Sequence, residues 1–148
     1  MSKPKVLFLC TGNSCRSQMA EGFARQLRGD QLEPFSAGIE AHGLNPMAVR
    51  VMAEVGVDIS GQRSKTVDEL AEDEFDFVVT VCDAARESCP FFPASVAMLH
   101  KSFPDPPALA AGAADEEEAL DAFRSVRDMI RDFVASMPGS LTEGSAGS

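Results

Sequence analysis

The chain contains no tryptophan and no tyrosine, so any aromatic stacking surface would depend on its ten phenylalanines. It has no apolar run near the ~18 residues of a membrane span, and no basic-then-apolar leader at its start. We therefore expect neither a membrane segment nor a secretory signal. Thirteen basic residues are outnumbered by 23 acidic ones, for a formal net charge of −10. This balance argues against nucleic acid and against anionic membranes as partners.

Metal-binding patterns are also missing from the sequence. The two histidines, His42 and His100, stand alone, and no cysteine pair has the spacing of a zinc site. We therefore expect no metal and no other cofactor. Four cysteines in a chain without a leader are typical of thiols in the reducing cytoplasm, not of a disulfide framework.

The hydrophobic pattern alternates between strands and helices throughout the chain. It predicts a three-layer α/β/α sandwich around a parallel four-stranded sheet, with ligands at the carboxyl ends of the strands. Residues 1–137 are expected to form one domain, and the Gly- and Ser-rich tail 138–148 is expected to be disordered. Strands are predicted at 5–10, 34–37, 75–81 and 96–99. Helices are predicted at 16–28, at 46–56, in a short stretch after Thr66, and at 116–137. Residues 104–115 are predicted to form a loop.

The loop after the first strand is the most informative segment, because it places a cysteine, five residues, an arginine and a serine between a strand and a helix. A loop in this position can direct backbone N–H groups at an anion. The Arg16 guanidinium adds a planar fork of donors, and these surroundings favour the thiolate of Cys10, a candidate nucleophile. The alternative is a small buried cysteine that merely ends the strand. The predicted anion loop, with Ser17 facing the Cys10 sulfur, is Cys10, Thr11, Gly12, Asn13, Ser14, Cys15, Arg16 and Ser17.

A second pair of cysteines follows the strand predicted beside Cys10. Cys82 and Cys89 are separated by a polar segment that must move for the two to bond. Three thiols allow a disulfide relay: Cys82 attacks the Cys10 sulfur, and Cys89 then attacks Cys82. The alternative is two incidental buried cysteines. Cys15 is expected to have a packing role, with a side disulfide to Cys10 under oxidation.

Asp105 lies in a proline-stiffened stretch, Pro104-Asp105-Pro106. Protonated, and close to the leaving oxygen of a bound anion, it could act as a general acid. The alternative is an ordinary aspartate in a proline turn.

These segments together resemble the thioredoxin-coupled arsenate reductases, which share the low-molecular-weight tyrosine phosphatase fold. The resemblance extends to about Met137. It implies that Cys10 is the nucleophile, Arg16 the arsenate binder, Cys82 and Cys89 the relay thiols, and Asp105 the acid. It further implies that arsenate is reduced to arsenite and that thioredoxin reduces the final Cys82–Cys89 disulfide, with no cofactor required.

The resemblance also implies a difference in ion binding. Some members of the family bind a potassium ion through residues at positions 13 and 36 and around 63–65. Here Arg63, Ser64 and Lys65 occupy the last of these positions, and two cations disfavour a metal cation. We predict no potassium requirement, and we expect the Lys65 ammonium to take the place of the ion and to steady Asn13.

Two other functions remain open from the sequence. A low-molecular-weight tyrosine phosphatase would share the loop and the acid but would not need Cys82 and Cys89; the absence of tyrosine and the presence of Pro107 after the Asp-Pro pair disfavour it. An oxyanion- or redox-sensing binding protein would form the disulfide only as a signal. Within the reductase interpretation, the reductant could be a glutaredoxin or a small thiol, and the chain is expected to be a monomer.

Overall fold

A computed structural model describes residues 3–70, 75–82 and 96–137, together with Gly139 and Leu141. Its strands are β1 (Lys5–Cys10), β2 (Glu33–Gly38), β3 (Phe77–Thr80) and β4 (Ala97–His100). Its helices are α1 (Arg16–Arg28), α2 (Pro46–Glu54), α3 (Pro106–Ala110) and α4 (Glu116–Ala135), with a 3-10 helix at Val67–Glu69.

The four strands form one parallel sheet in the order β2-β1-β3-β4. The central strand β1 is buried from Val6 to Cys10. Because successive side chains point to opposite faces of a strand, both faces of the sheet must be covered there. The predicted α/β sandwich with a four-stranded parallel sheet is confirmed. Register pairs Cys10 with Gly38 and Leu9 with Thr80, so β1, β2 and β3 end side by side.

Helices α2 and α4 each begin after a side chain that accepts hydrogen bonds from the amides of the first turn. Asn45 precedes Pro46 and accepts from the amides of Met47 and Ala48, which would otherwise lack partners in the first turn of α2. Asp115 accepts from the amide of Glu118 at the start of α4. Helix α1 packs against both α4 and β2.

One prediction along the chain is wrong, and another fails at one residue. The stretch predicted as a loop at 104–115 contains helix α3, because proline at position 106 has a φ suited to the first turn of a helix. Unlike Asn45, Asp105 makes no side-chain hydrogen bond to that turn. Of the tail predicted to be disordered, residues 138–148, the structure describes only Gly139 and Leu141, and the rest lies outside the described residues. Leu141 is fully buried in the core, so the prediction does not hold at that residue. An apolar side chain at that position gains by packing, although glycine and serine surround it in the sequence.

Candidate active site

The anion loop, residues 10–17, is held from outside by the segment that follows β2. We call residues 39–45 the bracing segment. Its amides donate to four successive or near-successive loop carbonyls: Ile39 to Cys10 at 3.1 Å, Glu40 to Thr11 at 2.9 Å, His42 to Gly12 at 2.9 Å and Asn45 to Ser14 at 3.0 Å. Because these carbonyls point outward, the loop amides are left to face the centre. Among the described residues, the amides of 12–17 have no hydrogen-bond acceptor in the protein, as an anion cradle requires.

Two glycines allow this close contact. A Cβ at Gly38 would lie 2.3 Å from the Glu40 carbonyl oxygen and 2.8 Å from the Asn13 amide nitrogen. A Cβ at Gly12 would lie 2.3 Å from Nδ1 of the His42 ring. A larger residue at Gly38 would collide with backbone atoms and separate the loop from the bracing segment, whereas one at Gly12 would displace the half-exposed His42 ring.

The predicted nucleophile lies at the base of the cradle. Cys10 is the last residue of β1 and is 3% exposed. Its Sγ is 2.9 Å from the Ser17 hydroxyl, as predicted, and both side chains are buried. The Asn13 side-chain amide donates to the same hydroxyl oxygen at 2.8 Å. A hydroxyl whose oxygen already accepts a bond has its own proton free to donate to a thiolate.

Asn13 is held in a conformation that few residues adopt. Its φ of 49° lies in the left-handed region, where asparagine is among the few side chains commonly tolerated. Its Oδ1 accepts the backbone N–H of Lys65 at 2.9 Å and the Gln18 side-chain amide at 3.0 Å. These bonds stabilise the turn and direct the Asn13 Nδ2 toward Ser17.

The expectation for Lys65 requires correction. Its ammonium does not contact Asn13 but donates to the carbonyl oxygen of Arg63 at 2.8 Å. It is the main-chain amide of Lys65 that steadies Asn13, because the chain turns there to meet the loop. Burial lowers the pKa of the Lys65 amine from its ordinary value, and the nearby Glu21 carboxylate opposes that effect.

The predicted anion binder and the predicted acid meet at the mouth of the cradle. One Arg16 guanidinium nitrogen donates to the Phe103 carbonyl oxygen at 3.1 Å, and another lies 3.6 Å from Asp105 Oδ1. The Asp105 side chain is half-exposed, whereas that of Arg16 is mostly buried. The carboxyl is therefore positioned at the solvent side of the guanidinium, where an incoming oxyanion would meet both groups.

Cys82 follows β3 and lies beside the same loop. Its Sγ is 3.3 Å from the hydroxyl of Thr11, the residue that follows Cys10 in the sequence. Thr11, Arg16, Cys82 and residues 102–105 line one cleft. Cys89, the other predicted relay thiol, lies outside the described residues.

Cys15 is buried at 3% exposure within the anion loop. Burial is the main cause that raises its pKa to about 12, against a weaker opposing hydrogen bond from Ser14; the nearby Cys10 and Asp105 charges raise it further. Cys15 therefore stays protonated near neutral pH, consistent with packing rather than nucleophilic chemistry.

Several residues of the site could not be selected from the sequence. These include the bracing segment, the buried Gln18 and its partner Gln62. Gln18 is fully buried although it is polar, and only the register of α1 after Arg16 hints at its position under the loop. Among the described residues, no cluster of three His, Cys, Asp or Glu side chains could hold a metal ion. No described helix is long and apolar enough to cross a membrane.

The family model described as low molecular weight phosphotyrosine protein phosphatase matches residues 5–144. The chain belongs to this family. Within it, the chain is 51% identical over 130 residues to an arsenate reductase of Bacillus subtilis (strain 168), covering 88% of this chain and 91% of that relative. The match therefore covers nearly the whole length of this relative.

Two solved structures of the family are also similar. A structure described as an arsenate reductase in reduced state is 33% identical, with a TM-score of 0.70, and the match covers 93% of this chain and 98% of that one. A low molecular weight protein tyrosine phosphatase from T. tengcongensis has a TM-score of 0.74 at 24% identity, covering 93% and 99% of the two chains. At 24% identity, the similarity to this phosphatase shows a shared fold and nothing more.

Proposed function

We propose that this protein reduces arsenate to arsenite through a relay of Cys10, Cys82 and Cys89, and that thioredoxin recycles it in the cytoplasm. The observation that carries the proposal is a second thiol at the anion loop: Cys82 Sγ lies 3.3 Å from the Thr11 hydroxyl. A phosphatase needs only the loop, its cysteine and an acid. The similarity to relatives named arsenate reductase supports the same choice.

In the first step, arsenate occupies the cradle of loop amides and the Arg16 fork. The Cys10 thiolate attacks arsenic, and one arsenate oxygen leaves as water after protonation by Asp105. The product is a covalent adduct with a sulfur–arsenic bond. The Ser17 hydroxyl stabilises the thiolate before attack, because it lies 2.9 Å from the sulfur.

In the second step, the Cys82 thiolate attacks the Cys10 sulfur. A Cys10–Cys82 disulfide forms, and the electron pair of the broken sulfur–arsenic bond stays on arsenic, which leaves as arsenite. Arsenic gains two electrons and the two thiols lose them. Cys89 then attacks Cys82, which releases Cys10 as a thiolate and produces a Cys82–Cys89 disulfide. A dithiol such as thioredoxin suits the reduction of that intramolecular disulfide.

A steady-state assay tests this proposal. Arsenate reduction is coupled to thioredoxin, thioredoxin reductase and NADPH, and wild type is compared with Cys89→Ser. We expect sustained, arsenate-dependent NADPH consumption that is lost in the variant. Turnover with glutaredoxin or a small thiol but not with thioredoxin would correct the reductant. The absence of arsenate-dependent turnover, with rapid hydrolysis of an aryl phosphate, would assign the protein to the phosphatases instead.

The proposal retains two further expectations. We propose that the protein acts as a monomer and that it needs no potassium, although Lys65 acts on Asn13 through its backbone amide and not through its ammonium.

A further inference from the structure

A continuous series of side-chain hydrogen bonds runs from the surface of the protein to the Cys10 sulfur. It begins at Arg25, whose side chain is about half exposed, and passes through Gln62 and Gln18. It then continues through Asn13 and Ser17 to Cys10. Each donor–acceptor distance lies between 2.7 and 3.1 Å. We call these six side chains the polar chain.

The outer half of the polar chain has a fixed direction. Arg25 can only donate, so the Gln62 atom 3.1 Å from its guanidinium must be the oxygen, Oε1. The other end of that amide, Nε2, faces the backbone carbonyl of Gln18 at 3.1 Å, which can only accept. Nε2 of Gln62 therefore donates to Oε1 of Gln18, at 2.7 Å.

The inner half is fixed by the same argument. Nε2 of Gln18 faces two backbone carbonyls, those of Asn13 and Arg63, each at 3.1 Å, so this end must be the donor. Oδ1 of Asn13 accepts a backbone N–H from Lys65, which leaves its Nδ2 to donate to Ser17. Every amide link therefore donates toward Cys10, and no amide can be reversed without placing two oxygens together. The last link is set by the state of Cys10: the Ser17 hydroxyl donates to the sulfur when Cys10 is a thiolate.

From this geometry we propose that Gln18 and Gln62 are positioning residues that increase the reactivity of Cys10 through Asn13 and Ser17. Hydrogen bonds aligned in one direction polarise one another, and the effect is larger where water is excluded. Asn13, Ser17 and Gln18 are fully buried. Arg25 donates into the outer end of the polar chain, while its guanidinium also pairs with the buried Glu21 carboxylate at 2.7 Å. The effect on Cys10 therefore comes from the aligned amide dipoles, whose positive ends point toward the sulfur and favour its charged form. This inference rests on the proposed role of Cys10 as nucleophile.

The polar chain also reaches a surface cleft. Gln62, Arg25, Glu21 and Asp58 are among the residues that line it. Gln62 is only partly buried, which makes it the member to substitute with the least disturbance of the core. Gln26 lines the same cleft but makes no hydrogen bond within the polar chain, so it provides a matched control.

The test measures Cys10 alkylation by iodoacetamide across a pH series, with the modified residue located by peptide mass spectrometry. Gln62→Met removes the donor to Gln18, and Gln62→Glu replaces it with an acceptor. At pH below the wild-type midpoint we expect alkylation about two- to fourfold slower in Gln62→Met and slower still in Gln62→Glu. The midpoints should rise in the same order, and all rates should converge at high pH. Gln26→Met should match wild type.

The double variant Arg25→Met with Glu21→Gln provides a second perturbation. It removes the outermost donor together with the buried carboxylate that pairs with Arg25 at 2.7 Å, so no unpaired charge is left behind. It should shift the midpoint in the same direction but less than Gln62→Met. A merely structural role predicts lower thermal stability with unchanged midpoints. The proposal would be overturned if both Gln62 variants followed the Gln26→Met profile at every pH. Alkylation requires no arsenate, so a failure of arsenate turnover in wild type would count against the proposed function and not against the polar chain.

Discussion

Replacing Ser17 with alanine removes the hydroxyl that contacts the Cys10 sulfur. That contact is 2.9 Å long and joins two buried side chains. A hydrogen bond to a charged group contributes about 1.5–3 kcal/mol. Since about 1.4 kcal/mol is a factor of ten, the thiolate fraction of Cys10 at a fixed pH below its midpoint should fall about tenfold to a hundredfold.

The same substitution should also reduce stability. Nδ2 of Asn13 donates to the Ser17 oxygen at 2.8 Å and would lose that acceptor. An unsatisfied buried donor costs about 1–3 kcal/mol, which we expect as a decrease in the free energy of unfolding in urea.

Both effects can be measured on one set of proteins. Iodoacetamide alkylation of Cys10 reports the thiolate, and arsenate turnover should decrease in parallel. Ser14→Ala is the matched control, because Ser14 belongs to the same loop but its hydroxyl contacts Cys15 at 3.7 Å. If Ser17→Ala alkylated at the wild-type rate near neutral pH, the Ser17 hydroxyl would not be stabilising the nucleophile.

Three further predictions concern other parts of the molecule. Arg28 donates to the carbonyls of Ala135 and Met137 at the end of α4, so Arg28→Met should lower the free energy of unfolding by about 1–2 kcal/mol; no change in a urea titration would contradict this. The pKa of Glu54 is lowered from 4.5 to about 2, mainly by hydrogen bonds from Arg124. The ionised Glu54 carboxylate therefore stabilises the folded protein above pH 4.5, and this contribution to the free energy of unfolding is lost as the pH falls toward 2. Glu54→Gln should therefore flatten the pH dependence of stability in that window, and an unchanged slope would contradict the assignment. Potassium chloride, compared with sodium chloride at equal ionic strength, should raise neither activity nor stability; a marked increase would show that Arg63 and Lys65 do not exclude the ion.

The elements around the site could be predicted because their signals are local. Residues 5–10 and 16–28 were predicted with the bounds that the structure has, since a buried apolar run and a helical apolar stripe are each read within a few residues. The Cys10–Ser17 contact followed from a loop of fixed length between them.

Contacts between residues that are far apart in the sequence could not be predicted in this way. The bracing segment meets the loop through backbone amides, which carry no signal in the side-chain sequence. Gln62 contacts Gln18 from 44 positions away. The prediction that the Lys65 ammonium steadies Asn13 was wrong. It was based on the charge of the side chain, whereas the path of the backbone brings the main-chain amide of Lys65 to Asn13.

The central claim is that Cys82 takes the place of arsenic on the Cys10 sulfur. It is tested most directly by a single turnover of reduced Cys89→Ser with arsenate, followed by acid quenching, peptide mapping and arsenite quantification. We predict one equivalent of arsenite per protein and one equivalent of a Cys10–Cys82 disulfide. Arsenite without that disulfide, or neither product while an aryl phosphate is hydrolysed rapidly, would contradict the account.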